Sequence, residues 1–247
     1  MAAQASFAQV AREDGRAALV TAVRGPHAGA RLLVRADGSH EGSLGDAQLD
    51  AEAVAAANEL MWEERSELRG DLFVDVTAPA PRLLIFGAVE YANHLAYLAQ
   101  IMGWHAAVID PRARFATRER FPEPTEIVVA WPGPALEQLG GIDRATYVAV
   151  LSNDPKIDDE ILTLALQGDP AYIGAMGSTH AQTERQERML AAGVPEEDLA
   201  RISAPVGLDL GALSAAETAL SIMAELIAVR HGRSGKRLSQ RAAGSIH

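Results

Sequence analysis

The sequence predicts an α/β protein: a small N-terminal α/β domain followed by a Rossmann-like domain built on a parallel sheet. Three observations carry that prediction. From Arg82 to about His231, short apolar segments alternate with helical stretches, the mark of a parallel sheet whose crossovers are helices. Thr77-Ala-Pro-Ala-Pro81 places two prolines where neither a helix nor a strand continues, which suits a short stiff linker. At 247 residues, 48% of them hydrophobic and 22% charged, the chain has room for two modest domains and a buried core. The predicted organisation is an N-terminal domain over residues 1–76, a linker over 77–81, a Rossmann-like domain over 82–232 and a flexible tail over 233–247.

In the N-terminal segment, Ala17–Arg24 reads as a strand, Gly25-Pro26 as a turn, and Arg31–Val34 as a second strand entering the Asp37-Gly38 turn. Gly42 to Gly45 reads as another turn. Asp46 or Asp50 then caps a helix running to about Arg65, with Leu49, Val54, Ala57 and Met61 toward the core. Leu72–Val76 closes the segment as a strand.

After the linker, Arg82–Phe86 is a short buried strand ending at Gly87, and the helix that follows runs to about Met102, where Gly103 stops it. Ala106–Ile109, Glu126–Ala130, Thr146–Leu151 and Ala171–Gly174 are the next strands. Asp154-Pro155 opens a helix with a carboxylate cap and a first-turn proline. Thr179 with Gln182, and Ser214 with Glu217, fit capping boxes. The last helix, about Ala215 to Arg230, is apolar on most faces and is expected to pack against the sheet. A basic tail with Arg233, Lys236, Arg237 and Arg241 follows.

Composition excludes several chemistries. The chain has no cysteine, so disulfides, thiolate nucleophiles, iron–sulfur clusters and thiolate zinc sites are ruled out within it. A net charge of −11 opposes general affinity for nucleic acid or an anionic membrane, so an anionic ligand needs a local positive site. No apolar run approaches the roughly 18 to 20 residues of a membrane helix. Met1–Val10 lacks the basic flank and apolar stretch of a secretory signal, and the expected compartment is the cytoplasm.

Five loops carry candidate chemistry, four of them at predicted strand ends and one before the last helix. Gly87-Ala88-Val89-Glu90-Tyr91-Ala92 has glycine at the first position of a dinucleotide fingerprint and an accepted alanine at the sixth. Val89, however, puts a branched side chain where the middle glycine would admit a pyrophosphate, and Glu90 adds negative charge. Gly87 and Ala88 are candidate contacts in what otherwise reads as a plain tight turn. Asp110 ends the second strand 23 residues after Gly87, near where a ribose-binding acid would lie, and before proline it is equally a good turn residue. Arg112 and Arg114 either meet a phosphate or pair with Asp110 and surface glutamates. Ser152-Asn153-Asp154 combines a helix cap with a polar loop facing the same crevice. Gly174-Ala-Met-Gly177-Ser178-Thr179 joins two glycines and a hydroxyl pair to a helix N-terminus, with His180 as an added cation; anion binding and plain capping both remain open. Pro205-Val-Gly207-Leu-Asp209-Leu-Gly211 has more special residues than a simple turn requires, which favours function. Glu225, on the apolar last helix, needs a partner and reads as a structural hydrogen bonder, with catalysis as the alternative.

Taken in order, these loops resemble the XdhC/CoxI family, the maturation factors of molybdenum hydroxylases such as xanthine dehydrogenase and carbon monoxide dehydrogenase. The resemblance rests on Asp110-Pro-Arg-Ala-Arg-Phe115, Asn153-Asp154 with Asp158, Tyr172-Ile-Gly-Ala-Met-Gly-Ser178, Pro205-Val-Gly-Leu-Asp209 and Glu217-Thr-Ala-Leu-Ser-Ile-Met-Ala-Glu225. Toward the N-terminus it rests on Gly29-Ala-Arg-Leu-Leu-Val34 and the stretch Gly38 to Leu49. The resemblance implies a protein that binds molybdenum cofactor (molybdopterin), protects it, helps its sulfuration and delivers it to an apoenzyme. The implied ligand is a pterin bearing a phosphate and often a nucleotide, lined by Asp154, Gly177, Ser178, Gly207 and Asp209. The implied partners are a molybdenum hydroxylase apoenzyme and a sulfurtransferase; the base rate for soluble proteins adds a homodimer. The chain departs from the family pattern where Ser43-Leu-Gly-Asp46 replaces a glycine–glycine–cysteine motif, Val89 a glycine and Asn153 a histidine. Two alternatives stay open. One is an NAD(P)-dependent oxidoreductase using the same crevice, against which Val89 and the lack of a convincing proton donor count. The other is an interaction subunit that holds no cofactor.

Overall fold

In the computed structural model, which describes residues 2–121 and 123–240, the chain forms two compact units, Met1–Ala80 and Pro81–His247. In the first unit the order is α1 (Ala2–Arg12), β1 (Ala17–Ala22), β2 (Arg31–Arg35), β3 (His40–Ser43), α2 (Ala47–Trp62), β4 (Glu67–Arg69) and β5 (Leu72–Thr77). The strands make an antiparallel sheet in the order β3-β2-β1-β5-β4. Because side chains alternate along β1, Ala17 and Leu19 pack with Ala3, Phe7 and Val10 of α1, while Ala18, Val20 and Ala22 meet Ala53, Ala57, Leu60 and Met61 of α2. Both faces of the sheet are thus covered.

Local chemistry explains where this unit departs from the sequence expectations. The first strand ends at Ala22 rather than Arg24. The Asp37-Gly38 turn forms as expected, closed by Arg35 N–H to Ser39 O and by Ser39 N–H to the Asp37 carboxylate. It continues into β3, so Gly42 lies in a strand rather than a turn, at φ +96° with its Cα opposite Leu32. A Cβ there would sit 2.5 Å from the Arg31 carbonyl oxygen. His40-Glu-Gly-Ser43 has no β-forming side chain, and hairpin register alone makes it a strand. Asp46 is the cap of α2, accepting from Gln48 and Leu49 N–H; Asp50 instead holds Leu44 N–H and the Ser43 hydroxyl. The helix stops at Trp62, short of Arg65.

The second unit runs β6 (Arg82–Phe86), α3 (Glu90–Ile101), β7 (His105–Ile109), β8 (Glu126–Val128), α4 (Pro132–Gln138), β9 (Thr146–Val150), α5 (Pro155–Gln167), β10 (Tyr172–Ala175), α6 (Thr179–Ala191), α7 (Glu196–Leu199), β11 (Ile202–Ser203) and α8 (Ala215–Arg230). All six strands are parallel, in the order β11-β10-β9-β6-β7-β8. The chain builds outward from β6 through β7 to β8, then returns to add β9, β10 and β11 on the other side. That is the doubly wound Rossmann arrangement, and its strand order reverses between β6 and β9.

Period-two alternation assigns the two faces. Leu83, Ile85, Tyr147 and Ala149 pack with Leu95 and Ala99 of α3 and with Ile222, Met223 and Leu226 of α8. Leu84, Phe86, Val148 and Val150 meet Leu136 of α4, Ile161 and Leu162 of α5 and Met189 of α6. The capping box of α8 is formed in full by Ser214 and Glu217. The one expected at Thr179 is not: Ser178 is the cap, its hydroxyl accepting from Ala181 N–H, and the Gln182 side chain donates to Gly177 O. α4 was concealed by Trp131-Pro-Gly-Pro134, where proline opens a helix instead of breaking one. Residues 233–240 of the expected tail are exposed and include a short 3-10 turn at Leu238–Gln240; residues 241–247, with Arg241, lie outside the described residues.

Candidate functional site

The strand order reverses between β6 and β9, and the carboxyl ends of strands at such a reversal are where open α/β sheets bind ligands. The loops after β7 and β10 flank this position.

The loop after β6 is committed to the chain itself. Gly87 adopts φ +107°, and a Cβ there would fall 2.6 Å from both Cα and N of Ser152. Glycine is needed because the end of β9 passes against it. Gly87 N–H donates to Ile109 O at 2.8 Å, Ala88 N–H to Asp110 Oδ2 at 2.9 Å and Val89 N–H to Gly87 O at 2.9 Å. None of these three donors is left for a pyrophosphate. Val89 is the residue before α3, with no side-chain cap, and Glu90 sits in the first turn.

Asp110 is fully buried. Besides Ala88 N–H it accepts Arg112 N–H at 2.9 Å and the Arg112 guanidinium at 2.8 Å through both Nε and Nη2. Of the partners open to Arg112, the structure selects Asp110, and Arg112 and Arg114 both stack over the Phe115 ring. Burial alone would raise the Asp110 pKa; the hydrogen bonds from Arg112 and Ala88 outweigh it and hold the carboxyl below its usual range. A depressed folded value means that Asp110 contributes stability above the unfolded carboxylate range and loses it as pH falls through the folded value. Asp110→Asn is therefore expected to cost roughly 1.5–3 kcal/mol at neutral pH and to lose less on acidification than the parent. Urea denaturation at neutral pH and at about pH 3, below the unfolded carboxylate value, reads both effects.

After β9, Ser152 is buried and donates its hydroxyl proton to Asp158 Oδ1. Asn153 holds φ +59°, an uncommon conformation for a residue other than glycine, and is exposed at the crevice. Asp154 caps α5 through Lys156 N–H. Asp158, in the first turn of α5, is buried, and burial pushes its pKa up against the opposing effects of Ser152 and Arg185.

After β10, Met176 N–H is taken by Val150 O, and Ser178 caps Ala181, so the turn at 177–179 presents the start of α6 without intrahelical acceptors. Thr179 is the first residue of α6, and His180 is exposed and near Glu184. Beneath this turn lies Arg185, 5% exposed, donating through Nη2 to Met176 O at 2.7 Å and reaching Asp158 at 3.4 Å.

The loop after β11 is stapled to α8. Gly207 N–H donates to the Glu225 carboxylate, the Ser221 hydroxyl donates to Leu208 O, and a Cβ on Gly207 would lie 2.5 Å from Ser221 Oγ. Glu225 is thus a structural hydrogen bonder, and Gly207 is required for close approach to α8. Asp209 is exposed.

The structure therefore brings Gly87, Ala88, Asp110, Arg112, Asn153, Asp154, Gly177, Ser178 and Thr179 to adjoining loops at the carboxyl edge, while Gly207 is held against α8. Sequence reading passed over Arg185. α6 is polar over most of its length, and the available signal was Ala181, Arg185 and Met189 at four-residue spacing on one face. Among the described residues no cluster of three His, Asp or Glu side chains could hold a metal ion, and no helix is long and apolar enough to cross a membrane.

Comparison with known proteins identifies the family and the fold. The family model described as the XdhC Rossmann domain matches residues 83–226, and the XdhC and CoxI family model matches residues 10–70. Relatives include the uncharacterized protein YqeB of Escherichia coli, 27% identical over 85% of this chain and 42% of its own length. A probable xanthine dehydrogenase subunit of Bacillus subtilis is 30% identical over 65% of this chain and 46% of its own. The molybdenum cofactor insertion chaperone PaoD of Escherichia coli is 30% identical over 62% and 41%. The chain thus spans less than half the length of these curated relatives. A crystal structure of a xanthine dehydrogenase from Bacillus halodurans shares the fold, with TM-score 0.65 and 24% identity over 91% of this chain and 65% of that one. With its Rossmann unit and its N-terminal unit each matched, the chain belongs to the XdhC and CoxI family.

Proposed function

We propose that this protein binds molybdenum cofactor in the crevice at the carboxyl ends of β6 and β9 and delivers it to a molybdenum hydroxylase of the xanthine or carbon monoxide dehydrogenase type, as a maturation chaperone rather than a turnover enzyme. The observation that carries the reading is the distribution of donors. The loop after β6, on which a dinucleotide depends, has its N–H groups consumed by Ile109, Asp110 and Gly87. The start of α6, after β10, presents open N–H groups above a buried guanidinium, whereas at the uncapped start of α3 Glu90 adds negative charge. Such a crevice suits a pterin carrying a phosphate better than a nicotinamide dinucleotide. The name of PaoD, a cofactor insertion chaperone, supports the same reading.

With no cysteine in the chain, no thiol here contacts molybdenum or carries sulfur. Any sulfuration of the held cofactor would draw its sulfur from a sulfurtransferase partner.

The test is transfer. The chain is loaded with molybdenum cofactor and mixed with a molybdenum hydroxylase apoenzyme, and the recovery of hydroxylase activity is followed. Loaded chain is expected to activate faster than the same amount of free cofactor, and Ser178→Ala and Asp209→Ala to slow it. Equal activation with and without the chain would reject the delivery role.

A further inference from the structure

Arg112, Arg185 and Arg188 differ in how their charge is met. Arg112 makes two bonds of 2.8 Å to Asp110, and Arg188 makes bonds of 2.7 and 2.9 Å to Asp159. Both are satisfied bidentate pairs at charge-assisted distances. Arg185 is more deeply buried than either, yet it touches Asp158 at only 3.4 Å, and Asp158 also accepts the Ser152 hydroxyl. Its Nε and Nη1 are buried with no hydrogen-bond partner. A desolvated guanidinium with orphan donors is costly, and native interiors rarely leave one without a purpose.

The position of that guanidinium is informative. It lies directly under the turn that starts α6. A Cβ on Gly177 would sit 3.5 Å from Nη2 and 4.0 Å from Nη1, so with glycine there only the turn's backbone covers the buried guanidinium. Gly177 also holds φ +143°, where L side chains are strained. The unbonded N–H groups and positive dipole end of a 13-residue helix therefore converge with a fixed cation on the same spot. On its other side, Arg185 borders a small cleft with Gln182 and Gln186.

We propose that Arg185 and the Gly177–Ser178 turn form an oxyanion subsite that takes the phosphate group of the bound pterin. The proposal rests on the functional reading above and assigns one part of the ligand to one place: phosphate on Arg185 and the start of α6, with the ring system left to the crevice between β6 and β9. A tetrahedral oxyanion supplies acceptors to the orphan guanidinium N–H groups and to the turn's backbone N–H groups together. A neutral ligand would supply no countercharge.

The test titrates inorganic phosphate into the full 15N-labelled chain and follows the Gly177 and Ser178 amides and the Arg185 Nε–H resonance. Saturable shifts of all three are expected, absent with chloride at equal ionic strength. Arg185→Lys keeps a cation beside Asp158 but loses the planar donor set, and is expected to weaken phosphate about 10- to 100-fold. Gly177→Ala leaves Arg185 in place and obstructs the approach; it is expected to weaken phosphate while the Arg185 Nε–H resonance of the free protein stays unchanged. Non-saturable shifts, shifts reproduced by chloride, or phosphate binding unaltered in both variants would overturn the subsite. Binding of molybdopterin is measured on the same samples. Arg185-dependent phosphate binding without pterin binding would keep the subsite and reject the functional reading. Pterin binding that phosphate does not compete with, and that both variants retain, would do the reverse.

Discussion

Gly87→Ala is expected to destabilise the Rossmann unit by roughly 3–5 kcal/mol, combining a strained backbone with overpacking. The new methyl group would meet backbone atoms of Ser152 at 2.6 Å, at a residue held at φ +107°. Backbone gives way less than a flexible side chain does, so the clash has to be relieved by parting the ends of β6 and β9. Those are the two strands that bound the proposed crevice, and ligand binding should weaken with stability. For a unit of this size the melting temperature should fall by about 10 °C. A change of less than about 2 °C in a thermal melt would show that the two strand ends are not packed as described.

Asp158→Ala is the second large effect. It strips the carboxylate partner from a guanidinium that is 5% exposed and leaves the Ser152 hydroxyl without its acceptor. Breaking a buried pair from one side costs roughly 3–5 kcal/mol. Asp158→Leu combined with Arg185→Met removes both charges together and is expected to cost at least about 1 kcal/mol less than the sum of the two single changes. Additivity in that cycle would mean that the residues do not interact. The pH dependence is opposite in sign to that of Asp110. Burial raises the Asp158 pKa in the folded chain, so its protonated form adds stability below the unfolded value, and this is lost as pH rises through the raised folded value. Asp158→Asn removes that loss, and its stability should climb more steeply than the parent's from about pH 4 toward neutrality.

Much of this architecture was written in local pattern. The apolar runs at Arg82–Phe86 and Thr146–Val150 gave the central strands, and Ser214 with Glu217 gave the start of α8. What the chain hid was imposed by tertiary context. β3 is a strand because the Asp37-Gly38 hairpin aligns it with β2, not because His40-Glu-Gly-Ser43 favours one. α1 was passed over although Ala3, Phe7 and Val10 carry helical spacing.

The site shows the same division. Glycines in strand-end loops invite a ligand reading, yet Gly87 and Gly207 are fixed by backbone and hydroxyl groups of their own chain. Asp110 stood at the ribose position and proved to be the anchor of Arg112 and of the Ala88 amide. Arg185 was easily passed over because, in a helix rich in glutamines and glutamates, only its four-residue spacing from Ala181 and Met189 marks the buried face. Its burial comes from the packing of α6 against α5 and the sheet, and the cation it places under Gly177 was read from the sequence only as a glycine turn.

The most direct measurement of the central claim is a side-by-side binding titration of the purified chain with molybdenum cofactor, NAD(H) and NADP(H). Saturable binding of the pterin cofactor, with no saturable binding of either nicotinamide, is the predicted result. Tight nicotinamide binding without pterin binding would contradict it.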